Sequence, residues 1–406
     1  MSGLEQKRAE KIAGVFERAM CAGIWGHFMY EIVIKDPVHG SVRLNSIEAK
    51  VLDCADMQRL RNIRQLAMAN LVYPGANHTR FEHSIGTLFL AGEMCRNLGL
   101  GEDEAAQIRL AALLHDVGHV AFSHEAEVVT KEILGTHEQI GQRRILKGKI
   151  ADILGENFSA KKIARLIVGK EMGQIVCSDI GADRMDYLLR DSHYTGVAYG
   201  VIDSQRISQT CALEKKKFVV GHGGLEAAES LLVGRFMMFA AVYLHHTVRI
   251  ASKMLQQSLS EEIEEGRISE EELLSMDDGQ LLAHLAENKS GLAQDLYARK
   301  LYKRAYSIPM GELGKEAQIA AKSGRLQSVL SEECDCRVLV DVPPADAGEA
   351  SIRVLFGKKS VPIGEASALV RSLTHAHKAR MKLIVCAEKK DVKKVARIAE
   401  KEIKKP

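Results

Sequence analysis

The stretch Leu113-Leu114-His115-Asp116-Val117-Gly118-His119 puts two histidines and a carboxylate beside an apolar run. Imidazole nitrogen and carboxylate oxygen on one surface suit a transition metal that activates water, together with groups that move protons. Leu110, Leu113, Leu114 and Val117 recur at helical spacing, which predicts a helix that buries this face. His115 and His119, four residues apart, would then share a neighbouring stripe, with Asp116 at the rim. An isolated His-Asp dipeptide is more often a surface ion pair or a helix cap. Here it has companions: His83 upstream in Thr79-Arg80-Phe81-Glu82-His83-Ser84, and Asp183 downstream in Asp179-Ile180-Gly181-Ala182-Asp183-Arg184-Met185-Asp186-Tyr187.

Histidine, His-Asp, then aspartate, in that order, is the metal signature of the HD-domain phosphohydrolase superfamily, which this chain resembles. Further blocks follow in order: Asp36 to Gly40, Gln58-Arg59-Leu60-Arg61, Tyr73-Pro74-Gly75-Ala76, Arg80 to Gly86, His119 to His124, His137-Glu138-Gln139 and Asp183 to Asp191. Together they resemble the deoxynucleoside triphosphate triphosphohydrolase branch over roughly residues 32 to 305. The resemblance implies that His83, His115, Asp116 and Asp183 bind a divalent transition metal and leave coordination positions open for water or a phosphate oxygen. Such donors fit iron, manganese, zinc or nickel, so the metal is left open; magnesium would accompany the nucleotide.

The resemblance also assigns the remaining site residues. His119, His124 and His137 match histidines of the catalytic pocket, and histidine titrates near working pH. His119 and His137 are the expected proton donors to the leaving ester oxygen, with Glu138 orienting one of them. Arg80, Arg184 and Arg235 match phosphate-contacting positions, where planar guanidinium groups bind oxygens in pairs. Position 184 is lysine in the vertebrate member. Gln65, Leu66, Tyr187, Asp191 and Tyr243 match the nucleoside contacts; Tyr187 and Asp191 lie on one helical face with Asp183, and an aromatic ring against the sugar disfavours a 2′-hydroxyl. Leu244 replaces a glutamine of the vertebrate member, so base preference does not carry over. Asp53, Gln58 and Arg61 match an activating guanine-nucleotide site that would take GTP or dGTP, although alone they read as an ordinary charged helix face. The resemblance further implies a homo-oligomer, dimer or tetramer.

The elements that must position these residues read as mainly α. With 406 residues, 46% hydrophobic and 27% charged, the chain has length for one large domain and a smaller one. The expected organisation is an N-terminal helical extension over 1–31, a helical HD-domain catalytic core over 32–306 and a small C-terminal α+β domain over 307–406. Ile32-Val33-Ile34 before Asp36-Pro37 reads as a strand entering a turn, and Lys217 to Gly224 as a hairpin. Strands are expected over 336–342, 351–356 and 381–386, in a mostly antiparallel sheet, with helices over 365–376 and 391–404. The few residues ahead of the HD-type blocks leave no room for the sterile-alpha-motif domain that the vertebrate member carries.

Net charge is +3, with an acidic patch at Glu261, Glu262, Glu264 and Glu265 and a lysine-rich tail. Both read as solvated helix faces rather than a nucleic-acid surface. Eight scattered cysteines with no CxxC pair fit a reducing, cytoplasmic setting. The apolar segment Ala19 to Tyr30 is broken by Gly23, Gly26 and His27 and falls short of the ~20 residues of a membrane helix. The expected activity is metal-dependent hydrolysis of deoxynucleoside triphosphates to deoxynucleoside and inorganic triphosphate. The alternatives are another HD phosphohydrolase, acting as a nucleotide monophosphatase or phosphodiesterase, and a nucleotide-sensing or nucleic-acid-binding module.

Overall fold

The computed structural model describes residues 30–288, 291–344 and 350–404, so residues 1–29 of the N-terminal helical extension expected over 1–31 lie outside the described residues. The described chain opens on a hairpin, β1 (Tyr30–Asp36) antiparallel to β2 (Gly40–Asn45). Gly40 sits in the turn at φ +76°, a left-handed value that costs glycine little. The turn is held by Asp36, whose buried carboxylate accepts from the backbone N–H groups of Val38 and His39.

The body is mainly α. Its principal helices are α1 (Arg80–Asn97), α2 (Glu102–Leu114), α3 (Ser123–Leu134), α4 (His137–Leu146), α5 (Ala182–Thr195), α6 (Leu225–Met238) and α7 (His246–Glu264). Thr79 caps α1: its side chain accepts from the N–H of Glu82 while Glu82 reaches back to the N–H of Thr79. That cap fixes the first turn of α1, the turn that carries Arg80 and His83. Glu102, Asp103 and Glu104 suit the positive end of α2, and Ile108, Leu110, Leu113 and Leu114 bury its apolar face against Leu88 and Met94 of α1 in one core.

The helix over the His-Asp stretch stops earlier than its periodicity predicts. α2 ends at Leu114, and His115 to Gly118 form turns, with the N–H of His119 donating to the carbonyl of Asp116. The reason is a close approach: a Cβ on Gly118 would collide with the carbonyl of His137 and the backbone of Gly141 in α4. His119 therefore reaches His137 through a turn instead of sharing a helix face with His115.

The hairpin expected near Lys217 is present as β3 (Cys211–Glu214) and β4 (Lys217–Gly221). The C-terminal strands depart from the expected single sheet. β5 (Lys303–Pro309), β6 (Val338–Asp341) and β9 (Lys382–Ala387) form one antiparallel sheet in the order β5-β9-β6. β7 (Arg353–Phe356) and β8 (Lys359–Pro362) join the other sheet, β7 pairing parallel to β4 with Val354 beside Val220. Burial explains the split. Ile352 and Val354 complete the main helical core, whereas Leu339, Ile384 and Cys386 pack with Met254 and Leu255 of α7. The 306/307 boundary falls within β5; Ile308, Leu330, Val340, Val385 and Val395 of the last hundred residues form a cluster of their own, while Leu339, Ile352, Val354, Ile384 and Cys386 join the two cores that precede it. The expected helices are found at Ala368–Arg380 and Val392–Ile403. Among the described residues no single helix is long and apolar enough to cross a membrane.

Candidate active site

His83 from α1, His115 at the end of α2 and Asp183 in the first turn of α5 bring one ligand atom each within 4.8 Å of one another. The Nδ1–H of His83 donates to Asp186 Oδ2 (2.7 Å) and that of His115 to the carbonyl of Ala112 (2.7 Å). Because those acceptors carry no proton, each ring is left with its Nε2 directed at the other, 3.2 Å apart, and His83 Nε2 lies 3.1 Å from Asp183 Oδ1. Two nitrogen lone pairs at that distance repel unless a cation lies between them. Asp116 completes the set, Oδ1 lying 3.3 Å from His115 Nε2.

The electrostatics agree. Burial opposes a proton on His83, yet hydrogen bonds to Asp183 and Asp186 outweigh it and raise the ring's affinity for one. Burial would raise the Asp183 carboxyl, but His115 and His83 hold it below the ordinary range; at Asp116, burial is outweighed by Arg80, His115 and His119. A pocket that draws a cation onto imidazole nitrogens flanked by carboxylates fits the divalent metal expected from the ligand order.

Behind the donors is a layer that sequence reasoning missed. Asp186 is fully buried and accepts from His83, His39 (2.6 Å) and the Nε and Nη2 of Arg190 (2.9 Å each), while the Nη1 of Arg190 donates to Asp36 (2.9 Å). Asp186 and Arg190, four residues apart, share one stripe of α5, and Asp183, Tyr187 and Asp191 share the next. Only the spacing hinted at this.

The three pocket histidines come together. The rings of His119 and His137 stack with centroids 4.1 Å apart, and His124 meets them edge-on at 4.8 and 4.9 Å. His124 and His137 share a partner in Glu127, one turn along α3 from His124 and unremarked in the sequence. It accepts from Nδ1 of His124 (3.1 Å), from Nδ1 of His137 (3.0 Å) and from the backbone N–H of His137 (2.9 Å). Burial would raise its carboxyl, and these bonds hold it below the ordinary range instead. Glu138 is more remote, 3.4 Å from His137 Nε2. His119 is 1% exposed: its Nε2 lies 3.2 Å from Asp116 Oδ1, and its Nδ1 has no partner. Burial, Arg80 and His137 hold His119 well below its usual value against the upward pull of Asp116, and of the three rings His124 is the exposed one, its side chain 64% open. The turn that presents His124 is strained: Phe122 and Ser123 take φ of +56° and +52°. Asp278 holds it by accepting from the N–H of Phe122 (2.7 Å).

His115, Asp116, Asp183, His124, His137 and Glu138 line a cavity of about 1700 Å³ that also takes in Gln65, Leu66, Arg80, Tyr187, Asp191 and Tyr243. Arg80 donates to Asp116 Oδ2 (2.6 Å) and to Ser123. Arg184 and Arg235 converge on Asp179 rather than on the cavity wall, Arg184 pairing directly and Arg235 lying 3.9 Å away. Asp191 accepts from His78 (2.8 Å) and from the Tyr243 hydroxyl (2.6 Å), so it positions Tyr243. Tyr243 and Leu244 follow α6 through a π-helical turn, Phe239–Tyr243, a distortion common at functional sites. Asp53, Gln58 and Arg61 lie away from this cavity. Gln58 donates to the carbonyl of Leu52 (2.8 Å) and accepts from Arg61 (2.7 Å), whose guanidinium covers the Phe81 ring at 3.7 Å.

Comparison with known proteins agrees with this geometry. The HD domain family matches residues 80–191, and an HD associated region matches 202–404. An uncharacterized protein of Methanocaldococcus jannaschii is 35% identical over 380 residues, covering 89% of this chain and 80% of that protein. The deoxynucleoside triphosphate triphosphohydrolase of Homo sapiens is 39% identical over 119 residues, 26% of this chain and 19% of that enzyme. Other curated relatives are matched over about half of their own length. The crystal structure of a hypothetical protein from Aquifex aeolicus superposes with a TM-score of 0.75 at 29% identity, covering 90% of this chain and 99% of that one.

Proposed function

This chain belongs to the HD-domain phosphohydrolase superfamily, and within it we propose that the chain hydrolyses deoxynucleoside triphosphates to deoxynucleoside and inorganic triphosphate. The observation that carries this reading is the stripe Asp183, Tyr187, Asp191 on α5. One helical turn, about 5.4 Å, separates a metal donor from an aromatic ring suited to a sugar. The phosphate beside the donors is then the one bonded to the sugar, so water attacks the α-phosphorus, the bond to the 5′-oxygen breaks and the triphosphate leaves whole.

His83, His115, Asp116 and Asp183 would hold the metal, which when bound supplies Lewis acidity for phosphate and water. Arg80, on the cavity wall beside Asp116, neutralises phosphate charge. The departing 5′-oxygen needs a proton. His124, open to the cavity and tied through Glu127 to His137, is the group best placed to deliver it. Arg184 and Arg235 reach phosphate by exchanging Asp179 for it. Asp53, Gln58 and Arg61 form a guanine-nucleotide site that favours an assembled, active oligomer. That role requires Gln58 and Arg61 to part from each other.

A panel of dNTPs, NTPs and dNMPs incubated with the metal-loaded protein, with products separated, tests the reading. Deoxynucleoside plus triphosphate is the expected pair. Release of orthophosphate or pyrophosphate, or turnover of monophosphates alone, would replace it with another HD phosphohydrolase activity. Adding GTP to dATP hydrolysis while subunit mass is followed tests the regulatory part: unchanged rate and mass refute it and leave the catalytic part standing.

A further inference from the structure

We propose that His119, His124, Glu127 and His137 form a second transition-metal site, distinct from the His83, His115, Asp116, Asp183 set, and that its occupancy inhibits the enzyme.

Three imidazoles and a carboxylate, drawn from the turn after α2, from α3 and from the start of α4, place one ligand atom each within 4.8 Å of one another. The separations of 3.0 and 3.1 Å from Glu127 to the two Nδ1 atoms suit hydrogen bonds. They equally suit donors that each stand about 2 Å from a shared ion in a tetrahedral arrangement. His119 distinguishes the two. His119 Nε2 lies 3.2 Å from Asp116 Oδ1, but the buried Nδ1 of the same ring has no partner, and that calls for an explanation, because buried polar groups are normally partnered. A fourth ligand position supplies one. Three nitrogens and one oxygen favour zinc, nickel or cobalt over magnesium, which prefers oxygen.

Access is available, because His124 and His137 line the cavity and His124 is open to it. Metal at this site is incompatible with proton delivery. A ring that ligates through one nitrogen cannot also be the imidazolium that gives up a proton, so filling the tetrad removes the acid. Binding here rests on the geometry alone; only the inhibitory consequence rests on the hydrolase reading.

Protein stripped by a chelator and titrated with Zn²⁺ against a chromophoric competitor should take up two equivalents per chain. His124→Asn and Glu127→Gln should each take up one, and Asp183→Ala should also take up one by losing the other site. His124 is exposed enough for its variant to fold. A single equivalent in the unmodified protein, or two in both His124→Asn and Glu127→Gln, overturns the site. In nucleotide hydrolysis the second equivalent should depress the rate by roughly 10²-fold or more, the usual worth of an acid group. Two bound equivalents with an undiminished rate overturn the inhibition. The metal titration contains no nucleotide, so it decides the site even if dNTP hydrolysis fails.

Discussion

Asp186 Oδ2 stands 2.7 Å from His83 Nδ1, and that contact determines which nitrogen of the ring faces Asp183 and His115. A carboxylate behind a metal-binding histidine fixes its tautomer and raises its basicity, and losing such a partner costs about 10- to 100-fold in metal affinity. Asp186→Asn should therefore weaken metal binding by that factor without removing a ligand. Chelator competition on the folded variant checks it, and unchanged affinity would leave Asp186 with only the structural task of pairing Arg190.

Gly86 lies in α1 facing this pair, and a Cβ there would run into the Asp186 carboxylate and the Arg190 guanidinium. Elsewhere in a helix, alanine stabilises relative to glycine by roughly 0.5–1 kcal/mol. At this position crowding should reverse the sign, with Gly86→Ala costing about 1–3 kcal/mol as overpacked cores do. Denaturant unfolding measures it. A variant as stable as the parent would show that the buried ion pairs can shift aside.

How much of this was legible in the sequence depends on the range of the interaction. The order of His83, His-Asp and Asp183 was readable because side-chain type carries it, and the hairpin at Lys217 because turn chemistry is local. The end of α2 at Leu114 was not readable, since it depends on Gly118 meeting α4 across the site. Nor was the pairing of Val354 with Val220, a contact between segments far apart in the chain. Alternating apolar residues announce a strand but not its neighbour. Glu127 was missed for a similar reason: its partner His137 belongs to the next helix.

The Glu127 carboxylate should set the pH at which the acid works. Burial pushes the His124 ring below its usual value, and the hydrogen bond to Glu127 pulls it back up. Glu127→Gln removes that upward pull, so the alkaline limb of the rate profile, where the acid loses its proton, should move to lower pH. His124→Ala should lose ~10²–10⁴ in kcat with metal content unchanged. A parental pH profile in Glu127→Gln would take the proton away from His124.

Stability should depend on pH through a second pair of carboxyls. Burial and the nearby Asp341 push Glu125 up to about 7, and burial pushes Asp341 up to about 6, against the lowering pull of Arg249 on both and of Lys253 on Asp341. Both folded values lie above the unfolded ones, near 4. The folded state therefore holds these protons more tightly. The associated stability is fully present below about pH 4 and is lost as pH rises through 6 and 7. Glu125→Gln should flatten that decline. Parallel unfolding midpoints for parent and variant between pH 5 and 8 would show that Glu125 titrates normally.

Sugar selectivity should reside in the ring of Tyr243 more than in its hydroxyl. The ring is fixed from two sides: the π-helical turn sets the backbone, and the hydroxyl donates to Asp191, itself held by His78 stacked on Tyr194 at 4.7 Å. Tyr187 stands edge-on to it at 6.4 Å, so two rings bound the space beside the metal donors. Excluding one added hydroxyl by shape alone is worth about 10²-fold at most, because the rejected group is small. Discrimination of dGTP over GTP in kcat/KM should stay within that limit in the parent and fall toward unity in Tyr243→Ala. Tyr243→Phe separates ring from hydroxyl. It keeps the steric wall, so selectivity should persist, but it removes a hydrogen bond from a buried carboxylate and should cost roughly 1–3 kcal/mol of stability. Loss of selectivity in Tyr243→Phe with stability intact would invert this assignment and make the hydroxyl, through Asp191, the element that reads the sugar.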